Sequence, residues 1–168
     1  MARASTASII SHWYYLFEGL QSSPKGFYAA VERAIQSRQV PDARTSRVDW
    51  KEGGLLSASR EYLRVRRKKL IFDICGAPFG PSFFVSWWLG ELPSGLVGLL
   101  SAIPVVGAIF ERFFRPVTYY QVDTALMFQE AVHNAVMEVI GCVTANKGVR
   151  ALTEAERKPI MTRFGPTA

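Results

Sequence analysis

Glu130 and His133 lie three residues apart in LMFQEAVHNAVMEV, a run with helical spacing, so both side chains project from the same side of one helix. Glu-x-x-His is the half-motif with which carboxylate-bridged metal proteins hold their ions, but those proteins use two copies and two further carboxylates. This chain has one copy, with Asp123 further along the same polar edge. The pattern fits a structural His–Glu pair on a partly exposed helix face better than a metal site, and neither a metal nor a cofactor is expected. Cys75 paired with His133 would be a nucleophile and its base. The Gly76-Ala77-Pro78 that follows Cys75 is not a nucleophile turn. His133, Glu130 and Cys75 are therefore weak catalytic candidates. Asp49 and Glu52, three apart on a strand, face opposite sides and read as solvated edge charges rather than an acid–base pair. The chain contains no P-loop, GxGxxG, HExxH or GxSxG.

The basic run has more physical content. In SREYLRVRRKK, strand alternation puts Arg60, Arg64 and Arg66 on one face, opposite Leu63 and Val65, and leaves Arg67, Lys68 and Lys69 at a hairpin tip. A solvated sheet face accounts for that pattern. Against a bilayer, the same six residues would meet anionic headgroups, each nearby charge contributing roughly 1 kcal/mol. Nucleic acid is the less expected partner, because its binders gather their basic residues on one face.

The charge is spread unevenly. Of a net +6, residues 1–70 hold 13 Lys/Arg against 6 Asp/Glu, residues 71–146 hold 2 against 6, and residues 147–168 hold 5 against 2. Basic flanks around a weakly charged centre suit a membrane protein with both ends on the cytoplasmic side. With 49% hydrophobic and 20% charged residues, the composition excludes both a disordered chain and a polytopic membrane protein. Two cysteines, Cys75 and Cys142, make neither a disulfide framework nor a four-ligand zinc site, and both are expected reduced and buried.

The elements that must position these residues follow from periodicity. Ile9, Trp13, Leu16, Phe17 and Leu20 fall on one face at helical spacing, which predicts an aromatic amphipathic helix over 1–22. Ser23-Pro24 opens a second helix that Val40-Pro41 ends. Within 23–91 the period then changes to two. TSRVDWKE is one strand, LSASREYLRVRRKKLIFDIC two strands turning near Arg67-Lys68, GAPFGP a loop, and SFFVSWWL a strand apolar on both faces. Beyond Pro116, Val122, Leu126, Gln129, Val132, Val136, Ile140 and Val143 recur every three or four residues, a long amphipathic helix closed near Asn146-Lys147-Gly148. Thr153 and Glu156 form a capping box for a short last helix.

Residues 92–115 read as an apolar helix. Its core, LPSGLVGLLSAIPVVGAIF at 92–110, has 19 uncharged residues, close to the roughly 20 that span a hydrocarbon layer. Trp87 and Trp88 precede it and Tyr119 and Tyr120 follow it, as interfacial aromatics would. The alternative is a buried helix at the centre of an α+β domain.

The sequence thus predicts a single α+β domain over 1–168, with N-terminal helices, a four-stranded antiparallel meander, an apolar helix that is a candidate anchor, and a long amphipathic helix. The leading functional expectation is a small non-catalytic adaptor or regulatory protein at the cytoplasmic face of a membrane, its partner a bilayer or a protein contacted through 92–110. An alternative is a soluble cytoplasmic domain that holds a lipid or other apolar ligand between sheet and helix, lined by Phe79, Phe83 and Trp87. A second alternative is an enzyme built on Glu130 and His133. Oligomeric state is not encoded in any of these patterns.

Overall fold

Strand alternation organises most of the chain. A computed structural model describes residues 7–51, 59–92 and 118–162. Its elements are β1 (Ser8–Phe17), α1 (Pro24–Ser37), β2 (Ala43–Lys51), β3 (Ser59–Arg67), β4 (Leu70–Phe79), β5 (Ser82–Glu91), α2 (Tyr119–Asn146), α3 (Glu154–Arg157) and β6 (Ile160–Met161). The fold is α+β, built on one antiparallel six-stranded sheet in the order β2-β3-β4-β5-β1-β6.

The expected meander is present as β2 to β5, but the sheet has six strands, not four. The first added strand is β1, which replaces the predicted N-terminal helix. Trp13 and Phe17 satisfy a two-residue and a helical repeat equally, and both are buried. Leu16, needed only by the helical stripe, is exposed, and Ile9 is exposed because the register shifts between Ile9 and Ser11 and turns Ile10 inward instead. An aromatic and β-branched run favours the pleated alternative, and Tyr15↔Val85 and Phe17↔Phe83 pair it to β5. The second is the two-residue β6, which pairs with Ser11 and His12.

GAPFGP is also not all loop. β4 continues through Ala77, Pro78 and Phe79, and only Gly80-Pro81 turn the chain, with Gly80 at φ +57°. The β3–β4 ladder stops at Leu63↔Ile74, so Pro78 sits where no partner on that side needs its missing N–H. In the resulting gap the Tyr28 hydroxyl of α1 donates to the Glu61 carbonyl at 2.7 Å and accepts from the Gly76 N–H at 2.9 Å. Burial of that phenol pushes its pKa up to about 12. Gly76 itself is required by close packing, since a Cβ there would stand 2.7 Å from Phe27.

Both long helices cover the same face of the sheet. Ser23 caps α1, which buries Phe27, Tyr28, Val31, Ala34 and Ile35. Thr118 caps α2, whose buried positions include Phe128, Val132, Val136 and Ile140, while Leu126 is exposed. Phe72 lies between the two layers, its ring centroid 4.6 Å from Trp87 and 6.1 Å from Phe128. Burying each such side chain contributes roughly 1.5–3 kcal/mol. Arg38 of α1 and Glu138 of α2 add an ion pair at 2.7 Å. α2 ends at Asn146, with Gly148 at φ +65° where the sequence predicts closure. The predicted capping box of α3 forms, and Trp13 ties this segment to β1 by donating its indole N–H to the Glu156 carbonyl at 2.7 Å.

The predicted apolar helix at 92–115, and with it the 92–110 anchor, lies outside the described residues apart from Leu92. Among the described residues no helix is long and apolar enough to cross a membrane.

Candidate functional site at the basic end of the sheet

The β3–β4 turn is Lys68-Lys69, with Lys68 at φ +53°. It gathers chain from four elements. Glu91, the last residue of β5, pairs in register with both Leu70 and Ser8, and its carboxylate makes an ion pair with Lys69. Leu92 donates its N–H to the Lys69 carbonyl at 2.8 Å. Arg67 donates Nε–H to the Pro41 carbonyl at 3.0 Å, and Lys68 stands 4.0 Å from Asp42 with both side chains largely exposed.

The first turn of α2 faces this basic end. A cavity of 440 Å³ separates them, lined on the sheet side by Ile10, Arg67, Lys68, Lys69, Leu70 and Glu91, and on the helix side by Thr118, Tyr120, Gln121, Thr124 and Ala125. A second cavity of 350 Å³ adjoins it, sharing Arg67, Tyr120 and Thr124 and continuing over Val40, Pro41, Met127 and Phe128. Tyr119 is 90% and Tyr120 78% exposed. Leu92 and Thr118, the two residues that flank 93–117, therefore both lie at this end of the molecule.

Compared with family models, with curated proteins and with solved structures, the chain matches none. Function must be read from the geometry.

The six predicted basic residues do not act as one cluster. Arg67, Lys68 and Lys69 meet at the cavity, and Arg66 lies beside them on the other face of β3, bonded through Nε to the Lys68 carbonyl at 3.1 Å. Arg64 is committed to Asp73 by two 2.7 Å hydrogen bonds, with its guanidinium 5.6 Å from the Trp50 ring centroid. Arg60 is exposed near the far end of β3, about 25 Å along the strand from the turn.

The catalytic candidates are dispersed. His133 is buried, and its Nδ1 accepts the Trp87 indole N–H at 3.2 Å. Burial lowers its pKa from the ordinary 6.5. Glu130 is exposed and takes a hydrogen bond from Asn134 at 2.8 Å, so the pair expected on one partly exposed face is divided between core and solvent. Cys75 is buried beside Arg60, Tyr62 and Tyr28, and desolvation raises its thiol pKa, opposite to what a nucleophile needs. It belongs to the sheet row of Ser86, whereas His133 meets Trp87 on the other face. Cys142 is exposed, not buried as expected from its apolar run. No group of three His, Cys, Asp or Glu able to hold a metal occurs among the described residues.

Phe83 and Trp87 are core side chains, and Phe79 is 69% exposed at the β4–β5 turn; none of the three lines either cavity described above. The residues that do so come from β1, β3, β4, β5 and α2, from the β3–β4 turn and from the α1–β2 connection. No local motif marks such a site, because the cavity exists only where distant segments meet.

Proposed function

We propose that this protein is a non-catalytic adaptor or regulatory protein that rests the basic end of its sheet on an anionic membrane surface. The observation that carries this reading is the common position of Leu92 and Thr118 beside the Lys68-Lys69 turn. A single crossing by 92–110 would place α2 on the opposite side of the bilayer from the sheet it packs against. Two full crossings need roughly 40 residues, and 93–117 supplies 25. Leu92 and Thr118, at one end of the molecule, stay on the same side of a bilayer as the sheet and α2. That topology removes the conflict between an uncharged stretch of near-spanning length and a helix that belongs to the same core as the sheet.

The surroundings suit an interface. Arg66, Arg67 and Lys68 lie at this end and would each gain roughly 1 kcal/mol near anionic headgroups, beside a Lys69 matched by Glu91. Tyr119 and Tyr120, exposed at the start of α2, are the amphipathic rings favoured at headgroup depth. The cytoplasmic leaflet, with its negative surface potential, is the membrane face these charges select.

Flotation of the full chain with phosphatidylserine-containing vesicles tests the reading. The protein is expected to float with these vesicles and much less with phosphatidylcholine alone. K68E/K69E should weaken flotation by about tenfold or more. A chain that stays at the bottom of the gradient with both kinds of vesicle would overturn the proposal.

A further inference from the structure

We infer that the two adjoining cavities between the β3–β4 turn and α2 form a binding site for one single-chain anionic amphiphile. The head lies at Arg67 and Lys68, and the chain runs along Val40, Met127 and Phe128. This goes beyond the membrane reading, because such a site would act in solution as well.

The cavities measure 440 and 350 Å³ and share Arg67, Tyr120 and Thr124. Together they fall within the roughly 300–1,000 Å³ of small-molecule sites. Both linings are mainly apolar, and unpaired charge divides them. Among the described residues the larger one is lined by three cations and one carboxylate; that carboxylate is matched to Lys69, and Lys68 stands 4.0 Å from the exposed Asp42 outside the lining. Arg67 is fixed through Nε to the Pro41 carbonyl, which leaves its two terminal nitrogens to take an anion. The smaller one contains Arg38, whose charge is met by Glu138 at 2.7 Å, and is otherwise mostly apolar. A charged head with a hydrocarbon chain matches that division, whereas a small free anion would leave the apolar half empty. Met127, 72% exposed on α2, supplies the flexible thioether surface that adapts to an acyl chain.

Isothermal titration calorimetry of the full chain tests the inference, using dodecyl phosphate below its micelle-forming concentration, inorganic phosphate, and dodecyl maltoside. Dodecyl phosphate should bind one to one, at least about tenfold tighter than either comparison compound. Equal binding of inorganic phosphate would overturn the chain half of the inference, equal binding of the maltoside the head half, and no binding of dodecyl phosphate the whole. R67Q and T124W should each weaken dodecyl phosphate binding by about tenfold or more, and R60Q, about 25 Å along β3 from the turn, should not. Circular dichroism establishes that T124W is folded, and R67Q reports independently of that variant. Uniform binding across all three variants would place the amphiphile elsewhere and overturn the site. Flotation keeps the two readings separate. Dodecyl phosphate binding without vesicle binding leaves the site standing and removes the membrane function, and the reverse result removes the site alone.

Discussion

His133 shows how a residue that resembles a catalytic group becomes a structural one. Its ring is buried under α2 with Nδ1 accepting from Trp87, so the neutral form is the one that fits the fold. Because burial depresses its folded pKa below the unfolded 6.5, the unfolded chain binds a proton that the native state lacks in that range. Stability is therefore complete above about 6.5 and declines as the pH falls from there towards the folded value. Urea unfolding between pH 7.5 and 5.5 should show this decline in the native sequence and a flatter profile in H133Q, whose amide oxygen can accept the same indole N–H. Identical slopes would mean that His133 does not titrate differently on folding. Glu156 contributes elsewhere on the pH axis. Arg150 above all, with help from the Thr153 cap, holds its carboxyl below the ordinary 4.5, so its stabilisation fades only in stronger acid.

At the scale of elements, the departure of β3 from β4 beyond Leu63↔Ile74 is held open by one phenol. Tyr28→Phe keeps the ring in the core but leaves the Gly76 N–H and the Glu61 carbonyl without that partner. An unsatisfied buried group costs about 1–3 kcal/mol, and denaturant unfolding should register a loss of that size with the m-value unchanged. No measurable loss would mean that water replaces the hydroxyl in the gap. The elements themselves were unequally legible in the sequence. β3 alternates cleanly because Leu63 and Val65 face the core while Arg64 and Arg66 do not, and Phe72 and Ile74 of β4 face the same core. β1 reads as a helix because Trp13 and Phe17, four apart, obey both periods, and only pairing with β5 decides between them. β6 has two residues and carries no period at all. The basic turn was visible as a charge run. Its companions Ile10, Glu91 and Thr124 were not, since nothing local relates positions so far apart along the chain.

For the whole molecule, the layered packing of α2 on the sheet requires both to occupy one side of any membrane. Cys142 is exposed on α2 and Cys75 is buried, so the native chain offers one accessible thiol among its two cysteines. Ser46→Cys adds a second on the exposed edge strand β2. In sealed vesicles carrying the protein, a membrane-impermeant maleimide should label both positions or neither. Labelling of only one would place helix and sheet on opposite sides and would remove the one-sided topology.

Leu92 and Thr118 also bear on how this fold is assembled. A domain whose chain leaves at Leu92 and re-enters at Thr118, both beside the Lys68-Lys69 turn, makes the intervening 25 residues a cassette open to exchange. The α+β frame then holds its own folding instructions, and the cassette can change length or polarity without rewriting them. Exchange of 93–117 for a short Gly/Ser linker should give a protein with native circular dichroism and cooperative unfolding. A molten or aggregated product would show instead that the frame depends on what it displays.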